Sequence, residues 1–368
     1  MESKVTCRLL VATLVFSGVS ALRLVIATWL AQSKGNSIDD VLIRWDAVHY
    51  ISIARGGYFE DMDPESLGGF HARLAFFPLY PYLMKLVHWA TSLSFSFSGI
   101  LISWVAGIAL VSAVMAVVKH MGWGLRAQIA AGVLVVGAPM SLTYNMVYTE
   151  AVFGALTLWA LWAMLKRRWF LAGALVFFAG LTRLTGIDLW IVFALLVLVY
   201  GRREWRAWLA LLLSPLGLVG YIAFVNSRTA DVGGYFGLQR KGWGSAFDFG
   251  ASTLDYFSWI FTRNSDSWVV ATGLFIMVAV VLVVLTWGKL PWPIWLFAAG
   301  VMLNVLLSDG TFTARPRLLI PIYLCLIPFG ISIARSWNRV QLSFGAVAWV
   351  ALCTVISVHP LLATQWAI

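Results

Sequence analysis

An all-α polytopic membrane protein is the fold class this sequence predicts, on three observations. Hydrophobic residues fill 61% of the 368 positions. Charged residues fill only 11%, against about 25% in a soluble domain. The apolar residues gather in runs near the length of a spanning helix, which takes about 20 of them. No core hides that much apolar side chain from water, so lipid is the solvent. A soluble enzyme, a nucleic-acid-binding module and a secreted disulfide scaffold are thereby excluded. The net charge of +10 follows from membrane topology and implies no nucleic-acid partner. Cys7, Cys325 and Cys353 form no CxxC and lie in or at the ends of apolar runs, as membrane-embedded thiols would.

The first apolar stretch, 8–32, exceeds the apolar core of a cleavable leader and runs into a polar loop. It is expected to be a retained signal-anchor helix. Further spans fall near 98–118, 126–141, 148–165, 169–183, 185–200, 206–225, 268–287, 291–307, 317–334 and 341–358. Several are short, notably the two flanking Thr182-Arg183-Leu184-Thr185-Gly186, which predicts two half-buried helices meeting at a polar elbow. One more apolar stretch, 76–92, contains Pro78, Pro81, Lys85 and His88. The short connections on one side, taken with the N-terminus, hold half of the 26 Lys and Arg but only Glu2 and Glu204 of the 16 acids. Positive-inside asymmetry assigns those loops to the cytoplasm, provided that 76–92 does not cross. That segment is therefore expected as a kinked helix half-embedded in the outer leaflet, its prolines and charges lining a cavity. The outcome is one membrane-embedded domain over 1–368 with eleven spans, N-terminus inside and C-terminus outside.

Four polar regions then face outward: 33–75, 144–150, 226–267 and 308–317. Loops as long as the first and third are usually functional. In the first, Trp45, Val48, Ile51 and Ala54 recur near every third residue, the pattern of an interfacial amphipathic helix. Asp46, His49 and Tyr50 share one face of it. Together they could position and deprotonate a hydroxyl; equally, Asp46 could cap the helix and His49 be an exposed interfacial residue. Asp61 and Asp63 form a DxD, a pattern that can bind a divalent metal but more often is a solvated acidic turn; no metal is expected. Glu60 follows Gly57-Tyr58 directly and is expected to face the cavity. Pro78 and Pro81 would leave backbone carbonyls unpaired beside a groove wall for a lipid chain.

Arg183, midway through an apolar stretch, needs a partner. Asp188, Glu150 and a lipid phosphate are the three options. Gln239-Arg240-Lys241-Gly242-Trp243-Gly244 is a basic, aromatic patch. Arg315 and Arg317 open a span facing the outer leaflet and could hold a phosphate bidentately or contact headgroups. HExxH, GxSxG, Walker A, GxGxxG and Cys or His pairs with metal spacing are all missing from the sequence.

Several segments resemble the PIG-V family, the second mannosyltransferase of GPI-anchor assembly and its bacterial relatives. They are Arg44-Trp45-Asp46-Ala47-Val48-His49-Tyr50, Gly57-Tyr58 with Glu60, and Ala75-Phe76-Phe77-Pro78-Leu79-Tyr80-Pro81. Looser matches follow at Tyr148-Thr149-Glu150, Arg183-Leu184-Thr185-Gly186, Gln239 with Trp243-Gly244, and Arg315 to Pro321. The resemblance implies a GT-C glycosyltransferase that takes sugar from a polyprenyl-phosphate donor, with an acidic residue of the first outer loop as catalytic base. Asp46 matches that position. The chain is shorter than the eukaryotic members and its later loop smaller, which favours a bacterial relative in the plasma membrane, with its site on the outer face (the ER lumen if eukaryotic).

The expected reaction moves mannose from polyprenyl-phosphate-mannose to a glycolipid, inverting to an α-mannoside without cofactor or metal. Loop 33–75 would supply the catalytic residues and loop 226–267 bind substrate. Asp46 would be the base, with His49 and Glu60 orienting the acceptor or tuning it. Arg183, Arg315 and Lys241 would hold the phosphate. Arg44, Trp45, Tyr50, Tyr58, Phe77, Tyr80, Glu150, Gln239, Trp243 and Arg317 complete the expected substrate contacts, and the donor lipid would enter beside 76–82. Other readings are another polyprenyl-phosphate sugar, a protein acceptor, a polyprenyl-lipid transporter or a non-catalytic scaffold. The sequence shows no internal repeat, which weighs against the transporter.

Overall fold

The structure is a computed structural model and describes residues 2–59, 72–262 and 266–363. Regular structure among these residues is helical, apart from one isolated bridge between Phe247 and Ser308. Among the described residues, five helices are long and apolar enough to cross a membrane: Thr6–Ser33, Phe95–His120, Trp205–Arg228, Ser267–Leu285 and Arg339–Leu362. Shorter apolar helices cover Leu125–Val136, Glu150–Leu165, Trp169–Gly180, Gly186–Gly201 and Trp292–Leu306. The expected span 317–334 is a pair, Phe312–Leu318 and Ile320–Ser336, bent by 45°. Its cause is written in the sequence. Pro316, Pro321 and Pro328 each stand in the first turn of a new helical segment, where a residue without an N–H is tolerated and the preceding helix must stop.

The segment 76–92 follows a 3-10 turn, Ala72–Ala75, and holds a helix over Leu79–Thr91 of 13 residues. At about 20 Å that helix is too short to cross a hydrocarbon core about 30 Å thick. The break before it does not leave the Phe76 carbonyl bare, because Tyr58 and Tyr221 both donate their hydroxyls to it, at 2.8 and 2.7 Å. Leu79 N–H meanwhile donates to the Leu181 carbonyl at 2.9 Å, tying the break to the elbow at Thr182–Thr185. The expected cavity lining is corrected here. Ala75, Phe76 and Phe77 supply it, whereas Lys85 is exposed and His88 stacks on Phe95.

Arg23, in the first helix, is almost fully buried and donates to Asn145 (2.7 Å), Ser141 (2.9 Å) and the Val136 carbonyl. It closes the end of the Leu125–Val136 helix and fixes the following loop, from which Tyr148, Thr149 and Glu150 project. A polar side chain among apolar helices needs such partners, since hydrocarbon offers none.

Small residues let the helices meet closely, as expected where lipid provides no hydrophobic drive between them. A Cβ on Gly330 would lie 2.5 Å from Ala131 Cα. Gly330→Val is therefore expected to force the Ile327–Ser336 and Leu125–Val136 helices apart, costing about 1–3 kcal/mol. A lowered apparent melting temperature in detergent would register it; an unchanged one would show that this crossing is slack.

Candidate active site

The helix Asp46–Gly56 begins at a strained joint. Trp45 takes φ 57°, ψ −118°, a conformation that disfavours any residue with a Cβ. It turns the chain so that the next residue, Asp46, is the first of the helix. Asp46 does not cap the helix, which has no side-chain cap. Its Oδ2 accepts from Arg317 Nη1 at 2.6 Å instead, with 22% of the side chain still open.

Arg317 comes from the proline-broken span, and the break is what lets it project inside the protein. It is buried, its guanidinium lies 5.0 Å from the Tyr148 ring centre, and its Nε stands 3.6 Å from Glu150 Oε1. That same Oε1 accepts from Arg183 Nη1 at 2.6 Å. Of the two carboxylates open to Arg183, the structure thus selects Glu150. Asp188 instead meets the Asn304 amide at 3.4 Å. Asp46, Arg317, Glu150 and Arg183 form one chain of alternating charge.

All four line a cavity of about 450 Å³. Tyr50, Phe77, Gln239, Trp243 and Arg315 line it too. Aromatic rings build this wall in sequence: Tyr50 meets Phe76 edge-on at 5.2 Å, and Phe76 meets Trp243 at 5.7 Å. Gln239 Nε2 donates to the Tyr235 hydroxyl at 3.0 Å. Leu110, Val135, Phe153, Phe297 and Leu324 give the cavity an apolar side.

Arg315 is less free than expected. It donates to Thr253 Oγ1 at 2.8 Å and to the Ser308 carbonyl, and stacks on Phe312 at 3.4 Å. Its guanidinium therefore ties the Ala251–Thr262 helix to the 308–314 loop while one side faces the cavity.

Other expected residues stand outside the lining. Lys241 is exposed on the far side of the helix Gly234–Trp243. Arg44 donates to the Leu361 carbonyl and stacks on Trp45 at 5.2 Å, joining the first loop to the last helix. Tyr80 is fully buried and its hydroxyl donates to the Gly99 carbonyl. Tyr58 serves the Phe76 carbonyl, as above. Glu60, Asp61 and Asp63 lie outside the described residues. Among the described residues no group of three His, Cys, Asp or Glu could hold a metal ion.

His49 stacks on Phe76 with ring centres 4.5 Å apart, and its Nδ1 is buried without a hydrogen-bond partner. Burial, against the Asp46 charge, pushes its pKa below the ordinary 6.5. The folded protein then binds fewer protons than the unfolded chain just under that value. The His49 contribution to stability is expected to be flat above about pH 6.5 and to fall below it, and His49→Phe to reduce that slope. Melting temperatures across this range measure it. Burial pushes the Tyr50 and Tyr58 hydroxyls the other way, far above 10.0, so both remain protonated donors.

No family model matches the chain, and no curated protein matches its sequence. Among solved structures, ArnT from Cupriavidus metallidurans bound to undecaprenyl phosphate superposes with a TM-score of 0.54 and 14% identity, over 94% of this chain and 75% of that one. The chain has the GT-C fold. At this identity the likeness is one of architecture, so the chain's own residues must supply the case for its chemistry. Here that case is a carboxylate at the start of a first-loop helix, paired with one arginine and sharing with it and a second arginine an aromatic-walled cavity with an apolar side.

Proposed function

We propose that the protein transfers a mannosyl group from a polyprenyl-phosphate-mannose donor to a hydroxyl of a glycolipid, on the outer face of a bacterial plasma membrane. The observation that carries this reading is Asp46 sharing one cavity with Arg183 and Arg317 in a GT-C fold. ArnT's undecaprenyl phosphate supports a polyprenyl-linked donor. Mannose and the glycolipid acceptor rest on the resemblance of the first-loop residues to the PIG-V family, and the outward orientation on the charge asymmetry of the loops.

Asp46 takes the proton from the acceptor hydroxyl. The oxygen attacks the anomeric carbon of a β-mannosyl phosphate, the bond from that carbon to the phosphate oxygen breaks, and the electron pair leaves on the polyprenyl phosphate. The product is an α-mannoside. The leaving group is already a stabilised anion, so the protein's contribution is positioning and electrostatic complementarity. Arg183 and Arg317 face the phosphate, and the apolar side formed by Leu110, Phe153 and Phe297 receives the first isoprene units. A monophosphate donor needs no bridging metal, so activity is expected to survive EDTA.

The test supplies purified protein in proteoliposomes with radiolabelled polyprenyl-phosphate-mannose and an envelope glycolipid pool. Label in glycolipid, with or without EDTA, is the expected result. Transfer from another polyprenyl-phosphate sugar but not from this one would overturn mannose and keep the chemistry. Loss with EDTA would return Asp61 and Asp63 to the site.

A further inference from the structure

We propose that Arg317 is exchanged between Asp46 and the donor phosphate, so that the donor must bind first to set the base free, with Glu150 as the pivot that keeps the guanidinium in place. This rests on the reading of Asp46 as base and of the donor as a phosphate-linked sugar.

In the structure Arg317 spends Nη1 on Asp46 Oδ2. A charge-assisted hydrogen bond of that length occupies a lone pair of the carboxylate. A general base needs its lone pairs available to the proton it removes. The same arginine faces the cavity in which a phosphate would lie, so one guanidinium stands between the base and the leaving group. The four charged side chains balance two against two. A phosphodiester entering this cluster adds an anion with no new cation, and the donors present must be shared out again.

Two atoms show where the redistribution leads. Arg317 Nε is buried and makes no hydrogen bond, and Glu150 Oε2 is buried and accepts none. The unpartnered Nε stands 3.6 Å from Glu150 Oε1, the oxygen that already accepts from Arg183, and the same carboxylate has a second, unoccupied oxygen. A small rotation that carries Nη1 off Asp46 toward a phosphate can close the Nε contact to Glu150. The orphaned Nε then gains a partner. Glu150, already fixed by Arg183 at 2.6 Å, is thereby a positioning residue that acts through the two arginines.

The exchange predicts opposite responses from two neighbouring carboxylates. Undecaprenyl monophosphate, which carries the phosphate without a transferable sugar, is titrated onto the full-length protein in nanodiscs. Asp46→Asn replaces the charged competitor for Arg317 by a weaker neutral acceptor and is expected to tighten binding about tenfold; Glu150→Gln removes the charge of the pivot and is expected to weaken it about tenfold. Each variant deletes one negative charge from the same cluster, so a general field effect would tighten both. Tightening by both, or no tightening by Asp46→Asn, overturns the exchange while leaving the donor reading intact. Failure of the wild type to bind the lipid phosphate overturns the donor reading itself. If Glu150→Gln does not fold, Glu150→Asp takes its place, with the pivot withdrawn by one methylene and weaker binding again expected.

Discussion

Asp46→Asn is expected to reduce sugar transfer by about a thousandfold, the middle of the range for removal of a general base, with the protein folded and inserted as before. Asparagine keeps the shape of the side chain, and its amide oxygen can still accept from Arg317 Nη1 across the 2.6 Å now held by Oδ2. The Asp46–Gly56 helix does not rely on that carboxylate for a cap. What is lost is the capacity to take a proton. The readout is radiolabel in glycolipid set against an apparent melting temperature within a few degrees of wild type. Equal transfer by the two proteins would remove Asp46 from the chemistry and leave the cavity a binding site. Loss of transfer together with loss of the folded protein would instead make the Asp46–Arg317 pair a structural tie. The two outcomes are separated by one melting curve.

Much of this arrangement is legible in the residues, and what is not has identifiable causes. Apolar runs locate the apolar helices because lipid leaves few other structures possible; each of the eleven expected segments falls on one, but only five of the described helices, or six with the bent pair, are long enough to cross. Arg183 announces itself for the same reason, as a cation where one is costly. Its choice of Glu150 over Asp188 depends on how the loop after residue 136 is held. Arg23 holds that loop through partners 113 to 122 positions away, a link that no local pattern carries. Lys241 was open to a better reading: Tyr235, Leu238 and Gln239 lie at helical spacing on the inner face of Gly234–Trp243, which leaves Lys241 on the outer one. Arg44 and Tyr80 sit in specific-looking stretches yet serve packing. A short motif shows that residues occur together without dividing them into those that face the cavity and those that fix its walls.

Arg317→Ala is the second large effect, and it combines two losses that a further substitution can separate. Removing the guanidinium leaves Asp46 partly buried without a cation, while Glu150 keeps Arg183 at 2.6 Å. Breaking a buried pair by deleting one partner typically costs about 3–5 kcal/mol, and the open fifth of the Asp46 side chain puts this one at the lower end. A drop in apparent melting temperature and a loss of transfer of about a hundredfold or more are both expected. In Arg317→Ala combined with Asp46→Asn the uncompensated carboxylate is gone, so the melting temperature should recover much of the fall. Transfer should not recover, because neither the base nor the phosphate ligand has returned. Arg317→Lys completes the set: the charge stays, the planar fork does not, so folding is expected to hold and transfer to remain low. If Arg317→Lys instead transferred as well as wild type, a point charge would suffice and the bidentate role would be wrong. If the double substitution failed to restore stability, Arg317 would owe its place to its packing on Tyr148 rather than to the ion pair with Asp46.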